Sequence, residues 1–575
     1  MTFQPLKKNP LGLADFRDLL RDDYAYADKT RFIEAIDKIN FPFIVRPRRF
    51  GKSMFTTMLQ AYYDKAATDE FDSNFAGTYI AQHKTASANQ FYVLRLVFSG
   101  LGSADHLEEV FQQSLVSQLS DFFETYPHPR QAEILYGQFA SPAVLIERFF
   151  AVLGTAYRKK IYLIIDEYDQ FANAVLSQNV EQFRRMTSAK GFLKDFYAKI
   201  KEATSGPVAR IFITGVTSIS LDSMTSGFSI AKNVTTRSGF ASLFGFTEAE
   251  LRDLIPQLID LKRYGHPLEE VFARMKEWYN GYRFSRESLE TVFNASMCLY
   301  YLDYIGDENR EPAEMLDPAF SQDLTKITGI LSLGDGALVR RIVEKALKRE
   351  PIVFGNGTLK LLNLNDHAEF SEEELLSAMF YLGYLTYADT QEPALIVPNR
   401  AVSIQFFEYY LKSVLKADRY NFDAARFREA FSALALGDPR PFFEVVCHRF
   451  SEESGLHTHL HLSESDFQTL VQAAFLFTSR YRVQREVEVA GSHPGYIDLL
   501  VTPTDACSRD VAYLMELKCL RKKDASDARI EETLRKTRTQ AARYAESAAV
   551  SGIANLKRVS VVFVGTRLQA LSVDD

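Results

Sequence analysis

The chain has 575 residues, of which 46% are hydrophobic and 25% charged, and its formal net charge is −7. It is long enough for several domains with their own cores, and its acidity confines any nucleic-acid contact to local basic patches. Its four cysteines (Cys298, Cys447, Cys507 and Cys519) lie far apart with no CxxC pair, which argues against a zinc cluster or disulfide framework. No apolar signal core opens the chain and no apolar run reaches about 18 residues, so an intracellular, cytoplasmic protein without a membrane span is expected.

The first stretch that carries chemistry is IVRPRRFGKSMF, Ile44 to Phe55. An apolar strand, Phe41 to Val45, enters it, and an amphipathic helical pattern beginning at Ser53 leaves it. That is the strand–loop–helix setting of a phosphate-binding loop. The expected nucleotide-binding residues are Arg49, Phe50, Gly51, Lys52, Ser53 and Met54. Helix-start amides and Lys52 suit the β- and γ-phosphates of ATP, and the Ser53 hydroxyl suits Mg²⁺. Arg46 replaces the usual first Gly, and Pro47, Arg48 and Arg49 follow, so the loop is atypical.

Gln90 to Gly100 reads as another strand. Ile161 to Ile165 is an apolar strand that ends in Asp166 and Glu167, where open α/β sheets place their chemistry. Asp166 is expected in the Mg²⁺ shell, with Glu167 orienting or deprotonating the attacking water; a solvated acidic turn is the plainer alternative. VARIFITGVTSIS, from Val208, gives a strand whose apolar run ends at Thr214, a γ-phosphate sensor or simply a cap on the next turn. The alternation of strands and helices predicts a doubly wound parallel sheet.

These stretches resemble the AAA-ATPase-like family of P-loop NTPases, commonly joined to a C-terminal nuclease-like domain of the PD-(D/E)XK superfamily. The resemblance rests on ADKT (27–30), RPRRFGKS (46–53), IDEYD (165–169), FITGVTSIS (212–220), FGFTEAEL (244–251), WYNGYRF (278–284), YLGYLTY (381–387) and LIVPNRAV (395–402). It covers most of the chain and implies that the arginines are a family feature of the loop. Asp28 and Lys29 match the family's DKT; Asp28 reads as a cap on the following helix, and Lys29 could reach a phosphate. Asn233 matches a family Asn or stabilises a turn. AAA-type rings often complete their site with a neighbour's arginine, so a homo-oligomer is allowed, with Arg237, Arg252 and Arg283 as unassigned candidates.

After Thr247 the pattern turns helical, with Thr247 and Glu250, and later Ser371 and Glu374, forming capping boxes. Asn280-Gly281 signals a turn, and the aromatic residues around it read as core contacts. Leu338 to Pro351 is a basic amphipathic helix that faces solvent or nucleic acid.

Near the C-terminus, Tyr496 to Thr502 and Val511 to Cys519 read as two strands of a hairpin. Glu516 and Lys518 share a face, and Asp498 falls almost opposite Glu516. Asp498 and Glu516 suit one or two Mg²⁺ or Mn²⁺ ions, which polarise a scissile phosphate and lower the pKa of water. Lys518 can position that water and offset transition-state charge. A surface hairpin with an ordinary salt bridge is the plainer alternative. A long helical stretch follows, in which Gln540 and Tyr544 share a face, and Arg558 to Gly565 reads as the final strand. The superfamily resemblance implies active-site positions for Glu486, Asp498, Glu516, Lys518 and Gln540, with Glu488 competing for the place of Glu486. Leu520 to Lys523 and Leu534 to Arg538 are candidate phosphate contacts.

The expected architecture is α/β: a P-loop NTPase parallel sheet (residues 1–245), a helical lid (246–300), an α+β connector (301–410), and a helical lead-in to an α/β restriction-endonuclease-like domain (411–575). The expected activity is ATP hydrolysis coupled to Mg²⁺- or Mn²⁺-dependent cleavage of nucleic acid, DNA ahead of RNA. The rivals are an ATP-driven nucleic-acid-binding switch that does not cut, and a protein–protein regulator with a vestigial loop. Intact Lys52, Asp166 and Glu167 argue against the second rival.

Overall fold

Short apolar runs bounded by turn residues become five parallel strands: β1 (Pro42–Val45), β2 (Tyr92–Val97), β3 (Ile161–Asp166), β4 (Val208–Gly215) and β5 (Lys232–Asn233), in the order β2-β3-β4-β1-β5. Every residue of β1 and β3 is buried, as parallel strands covered on both faces require. The register sets Ile44 beside Thr214 and Ile165 beside Ile213. The loop-bearing strand and the acidic strand therefore flank β4, and their C-terminal ends meet at one edge.

This computed structural model describes residues 6–98, 106–170, 191–217, 230–312, 314–317, 327, 329, 331, 334–355, 357–359, 370–410, 424–451, 463–478, 480–489, 494–504, 509–565 and 567–575. Two compact units form: Met1–Val339 with Pro351–Val402, and Arg340–Glu350 with Ser403–Asp575.

In the first unit, α1 (Lys52–Tyr63) leaves the loop from Gly51, whose φ of 90° is left-handed and suits a residue without a Cβ. The expected capping boxes form, Thr247 with Glu250 on α2 (Glu248–Leu258) and Ser371 with Glu374 on α5 (Glu372–Tyr381). Between them in sequence lie α3 (Leu268–Tyr279) and the basic helix α4 (Gly336–Lys348), which belongs to the second unit from Arg340 on. A small antiparallel sheet of β6 (Ile352–Val353), β7 (Thr386–Tyr387) and β8 (Ala394–Ile396) precedes α6 (Arg400–Tyr409), which belongs to the second unit from Ser403 on. One cap differs from expectation. The helix Phe32–Asp37 has Arg31 at its N-cap, and the Asp28 carboxylate instead accepts from the Thr30 N–H at 2.8 Å and the Tyr79 N–H at 2.6 Å. Asp28 thereby ties two segments together.

The second unit is built on β9 (Tyr481–Val489), β10 (Gly495–Pro503), β11 (Ala512–Leu520), β12 (Leu556–Val564) and β13 (Arg567–Asp574), a mixed sheet in the order β13-β12-β11-β10-β9. Helix α7 (Glu464–Ala474) precedes it, and α8 (Asp527–Ala545) connects β11 to its parallel neighbour β12. Ala541 and Tyr544 of α8 join Ile497, Leu500 and Leu514 in one apolar cluster. The strand expected to be last, β12, is followed by β13, which pairs with it antiparallel. RLQALSVD lies at the sheet edge and is only partly buried, so its hydrophobic pattern is weak.

Candidate functional site

The loop's arginines have distinct structural jobs. Arg46 is buried at 1% exposure; its guanidinium donates to the Thr235 carbonyl at 2.7 Å and the Phe240 carbonyl at 2.9 Å, and stacks 4.3 Å from the Phe284 ring. It pins the loop's entry from within, where a Gly could not. Arg48 donates to Gln170, and Arg49, left-handed at φ 70°, meets Asp317 at 2.8 Å. Phe50 packs edge-on against Tyr282 at 4.8 Å. Two glycines permit this bracing. A Cβ on Gly383 would lie 2.7 Å from Pro47, and one on Gly281 would lie 2.0 Å from the Pro398 carbonyl oxygen. Motifs hundreds of residues apart in sequence thus hold the back of one loop.

Lys52 begins α1 with its side chain buried, and Nζ donates to the carbonyls of Arg46 at 3.1 Å and Pro47 at 2.9 Å. Burial lowers its pKa to about 8, against the opposing pull of Asp166 and Glu167. At the start of α1 the first amides have no partner within the helix. Asp166 is fully buried; Oδ2 accepts from the Thr56 hydroxyl at 2.9 Å and from Arg95 at 3.1 Å, while Oδ1 has no partner among the described residues. The Thr214 hydroxyl in the adjacent strand is likewise buried and unpartnered there. Glu167 adopts φ 52°, and burial, reinforced by Asp166, raises its pKa. Asp169 has a structural role: its carboxylate accepts from the N–H groups of Val216 at 3.0 Å and Thr217 at 2.6 Å.

In the second unit, Asp498 sits one position beyond the paired Leu499 and Met515, which sets it across from Glu516. Side chains replace part of the ladder here. The Leu517 N–H donates to Asp498 Oδ2 at 2.8 Å, and the Asp498 N–H donates to Glu516 Oε1 at 3.3 Å. Glu516 Oε2 is buried and unpartnered among the described residues. Burial, with Asp498 beside it, pushes the Glu516 pKa up to about 8. Lys518 Nζ lies 3.8 Å from Asp498 Oδ2 and donates to Glu464 of α7 at 2.8 Å. Burial works against its charged form, but Glu464 and Asp498 outweigh this and raise its pKa. Gln468, one turn along α7, donates to Asp498 Oδ1 at 2.8 Å and accepts from Arg485 at 2.8 Å.

Residues 10–225 match the family model described as a predicted AAA-ATPase, and residues 462–572 match that of the PD-(D/E)XK nuclease superfamily. The chain carries an AAA-ATPase-like domain and a C-terminal PD-(D/E)XK domain. A protein of Azotobacter chroococcum mcd 1, named only as an uncharacterized protein in the vnfD 5′ region, is 27% identical over 293 residues. The match covers 50% of this chain and 51% of that protein, so the chain spans about half the length of the curated relative it matches.

In the AAA-ATPase-like domain the sheet edge brings together Lys52, Asp166, Glu167 and Thr214. Lys29 is drawn elsewhere: its Nζ donates to Glu250 at 2.6 Å and to the Ser242 carbonyl at 2.8 Å. Asn233 accepts from the Thr235 N–H at 2.9 Å, closing a turn. Arg283 is buried on the carbonyls of Ser288 and Ala388 and on Asp389, and Arg252 pairs with Glu269. In the PD-(D/E)XK domain Asp498, Glu516 and Lys518 converge, but Glu486 is 63% exposed, left-handed at φ 49°, and 3.6 Å from Arg485. Gln540 contacts Tyr544 at 3.2 Å and lines a concavity along α8. The sequence reading missed Glu464, Gln468 and Arg95. Glu464 and Gln468 are four apart on a helix before the hairpin, a legible spacing with nothing local to mark its target. No helix among the described residues is long and apolar enough to cross a membrane.

Proposed function

We propose that the chain hydrolyses ATP and couples it to divalent-metal-dependent cleavage of nucleic-acid phosphodiesters, DNA ahead of RNA. The supporting observation is the buried, unpartnered Glu516 Oε2 beside Asp498 and Lys518. A carboxylate oxygen left unpaired in the interior is costly unless a cation completes it. Among the described residues no three His, Cys, Asp or Glu side chains gather as a ligand cluster. Two carboxylates suit Mg²⁺ or Mn²⁺, since Mg²⁺ binds through one or two carboxylates plus water and substrate phosphate. Asp498 and Glu516 would hold the ion, which supplies Lewis-acid polarisation and a more acidic water. Lys518, steadied by Glu464, offers an ammonium to the charge that develops on phosphate.

In the ATPase domain the α1 amides and Lys52 would receive the β- and γ-phosphates. Ser53 and the open oxygen of Asp166 would hold Mg²⁺. Glu167, with its raised pKa, would orient the water and accept its proton. Coupling requires ATP to favour one arrangement of the two domains over another.

The test uses end-labelled single- and double-stranded DNA and RNA, in Mg²⁺ and in Mn²⁺, with and without ATP. Asp498→Asn should lower cleavage by on the order of 10²-fold or more, as loss of a metal ligand does, with ATPase unchanged. Lys52→Ala should lower ATPase by on the order of 10²–10³-fold. Glu167→Gln should keep ATP binding, lose turnover, and change the cleavage rate at saturating ATP. Cleavage by Asp498→Asn at the wild-type rate would overturn the assignment. Wild-type protein that binds nucleic acid but never cuts it would make the chain an ATP-driven binding switch.

A further inference from the structure

Helix α8 carries cations of two kinds. Arg529 meets Glu532 at 3.0 Å and Arg538 meets Asp574 at 2.6 Å. Arg535 and Arg543 are exposed and have no carboxylate partner among the described residues. They lie on one stripe of the helix with Lys536, Thr539, Gln540 and Tyr544, and that stripe lines a concavity of about 590 Å³. Lys536 keeps one acid, Glu532, at 2.6 Å. The Tyr544 hydroxyl accepts from Gln540 at 3.2 Å and stands where a Cβ on Gly495 would meet it at 2.1 Å, so that glycine makes room for it. Uncompensated positive charge in a hollow, on a chain of net charge −7, marks a place for an anion.

We infer that this stripe is a binding track for the sugar–phosphate backbone of a nucleic-acid strand. The choice of polyanion rests on the nuclease reading. Arg535 and Arg543 are about 12 Å apart along the helix axis, too far for one free phosphate to meet both and within reach of a strand that repeats its phosphates. Thr539 and Gln540 between them add neutral hydrogen-bonding groups.

The test is fluorescence anisotropy with a labelled single-stranded oligonucleotide, full-length protein and EDTA, between about 50 and about 200 mM salt. The double variant Arg535→Gln/Arg543→Gln should bind about tenfold more weakly at low salt and flatten the slope of log K against log salt by about 1.4, or ~0.7 per lost contact. Arg529→Gln/Arg538→Gln, on the same helix but outside the hollow, should bind within about twofold of wild type. Equal losses in both pairs, no loss in the first, or no binding by wild type would overturn the track. Displacement of the strand by inorganic phosphate beyond the effect of chloride at equal ionic strength would assign the hollow to a small anion and also overturn it. Cleavage is not read, so a chain that binds through these arginines and never cuts refutes the nuclease reading and leaves the track standing.

Discussion

The two candidate sites share a device and differ in how it is charged. Each holds a buried carboxylate with one oxygen engaged and the other unpartnered among the described residues: Asp166 in the ATPase domain, Glu516 in the PD-(D/E)XK domain. Asp166 already touches a cation, Arg95, at 3.1 Å. Among the described residues the engaged oxygen of Glu516 has only a backbone N–H, and its pKa is pushed up to about 8. The first site is charge-compensated before any ligand arrives, whereas at the second burial disfavours the very charge that a divalent ion would offset. Their supports differ as well. The phosphate loop is braced by segments from Arg46 to Pro398, and the carboxylate pair by the neighbouring helix α7.

The largest expected effect breaks the remote bracing. Gly281 has φ 92° and no room for a Cβ. Gly281→Ala combines left-handed strain with a backbone clash and should cost about 3 kcal/mol in denaturant unfolding. ATPase should fall although Lys52 is untouched. At the other site Gln468→Ala removes the hydrogen bonds with Asp498 and Arg485, both part-buried, and should cost about 2 kcal/mol. If Gly281→Ala proved as stable as wild type, the idea that the Asn280-Gly281 turn holds the loop would fail.

A middle-sized effect sharpens the charge contrast. Asp166→Asn strands Arg95, which is partly exposed, so the loss should be about 2 kcal/mol, below the ~3–5 kcal/mol of a fully buried pair. Glu516→Gln replaces a group that is mostly protonated at neutral pH with a neutral isostere, so stability should change by less than about 0.5 kcal/mol while cleavage is lost. Equal destabilisation of the two variants would remove the distinction.

Much of this was legible because the signals are local. The strand entering GKS, the acidic end of β3, both capping boxes and the Asp498–Glu516–Lys518 hairpin each lie within a few residues of the pattern that announces them. What escaped depends on tertiary partners. Asp28 was read as a helix cap, but its partner is the Tyr79 N–H, and Lys29 was read toward phosphate but lies on Glu250. Arg95 looks like any polar residue on a strand until α1 brings Thr56 against it. Gln540 was placed with the carboxylates by resemblance, while its contacts lie along α8. The edge strand β13 was missed because its apolar residues change parity between Ala570 and Leu571, which breaks the alternation that marks a half-buried strand.

The smallest effect concerns protons at the phosphate loop. Lys52 has a pKa of about 8 because burial opposes its charge and the carboxylates of Asp166 and Glu167 compensate only in part. ATP phosphates beside Nζ would favour the ammonium and raise that value. Below about pH 8 the free protein already carries the proton, so ATP affinity should be flat with pH. Above it, binding must take up a proton, and affinity should fall by up to about tenfold per pH unit until the pKa of the bound state is reached. Calorimetry in buffers of different ionisation enthalpy should show uptake near zero at about pH 6.5 and rising toward one proton at about pH 9. Lys52→Arg, whose guanidinium keeps its charge throughout this range, should abolish the pH-dependent uptake even where it weakens binding. Uptake that persists in Lys52→Arg would place the proton on another group, with Glu167 the first to examine because burial, with Asp166 beside it, raises its pKa.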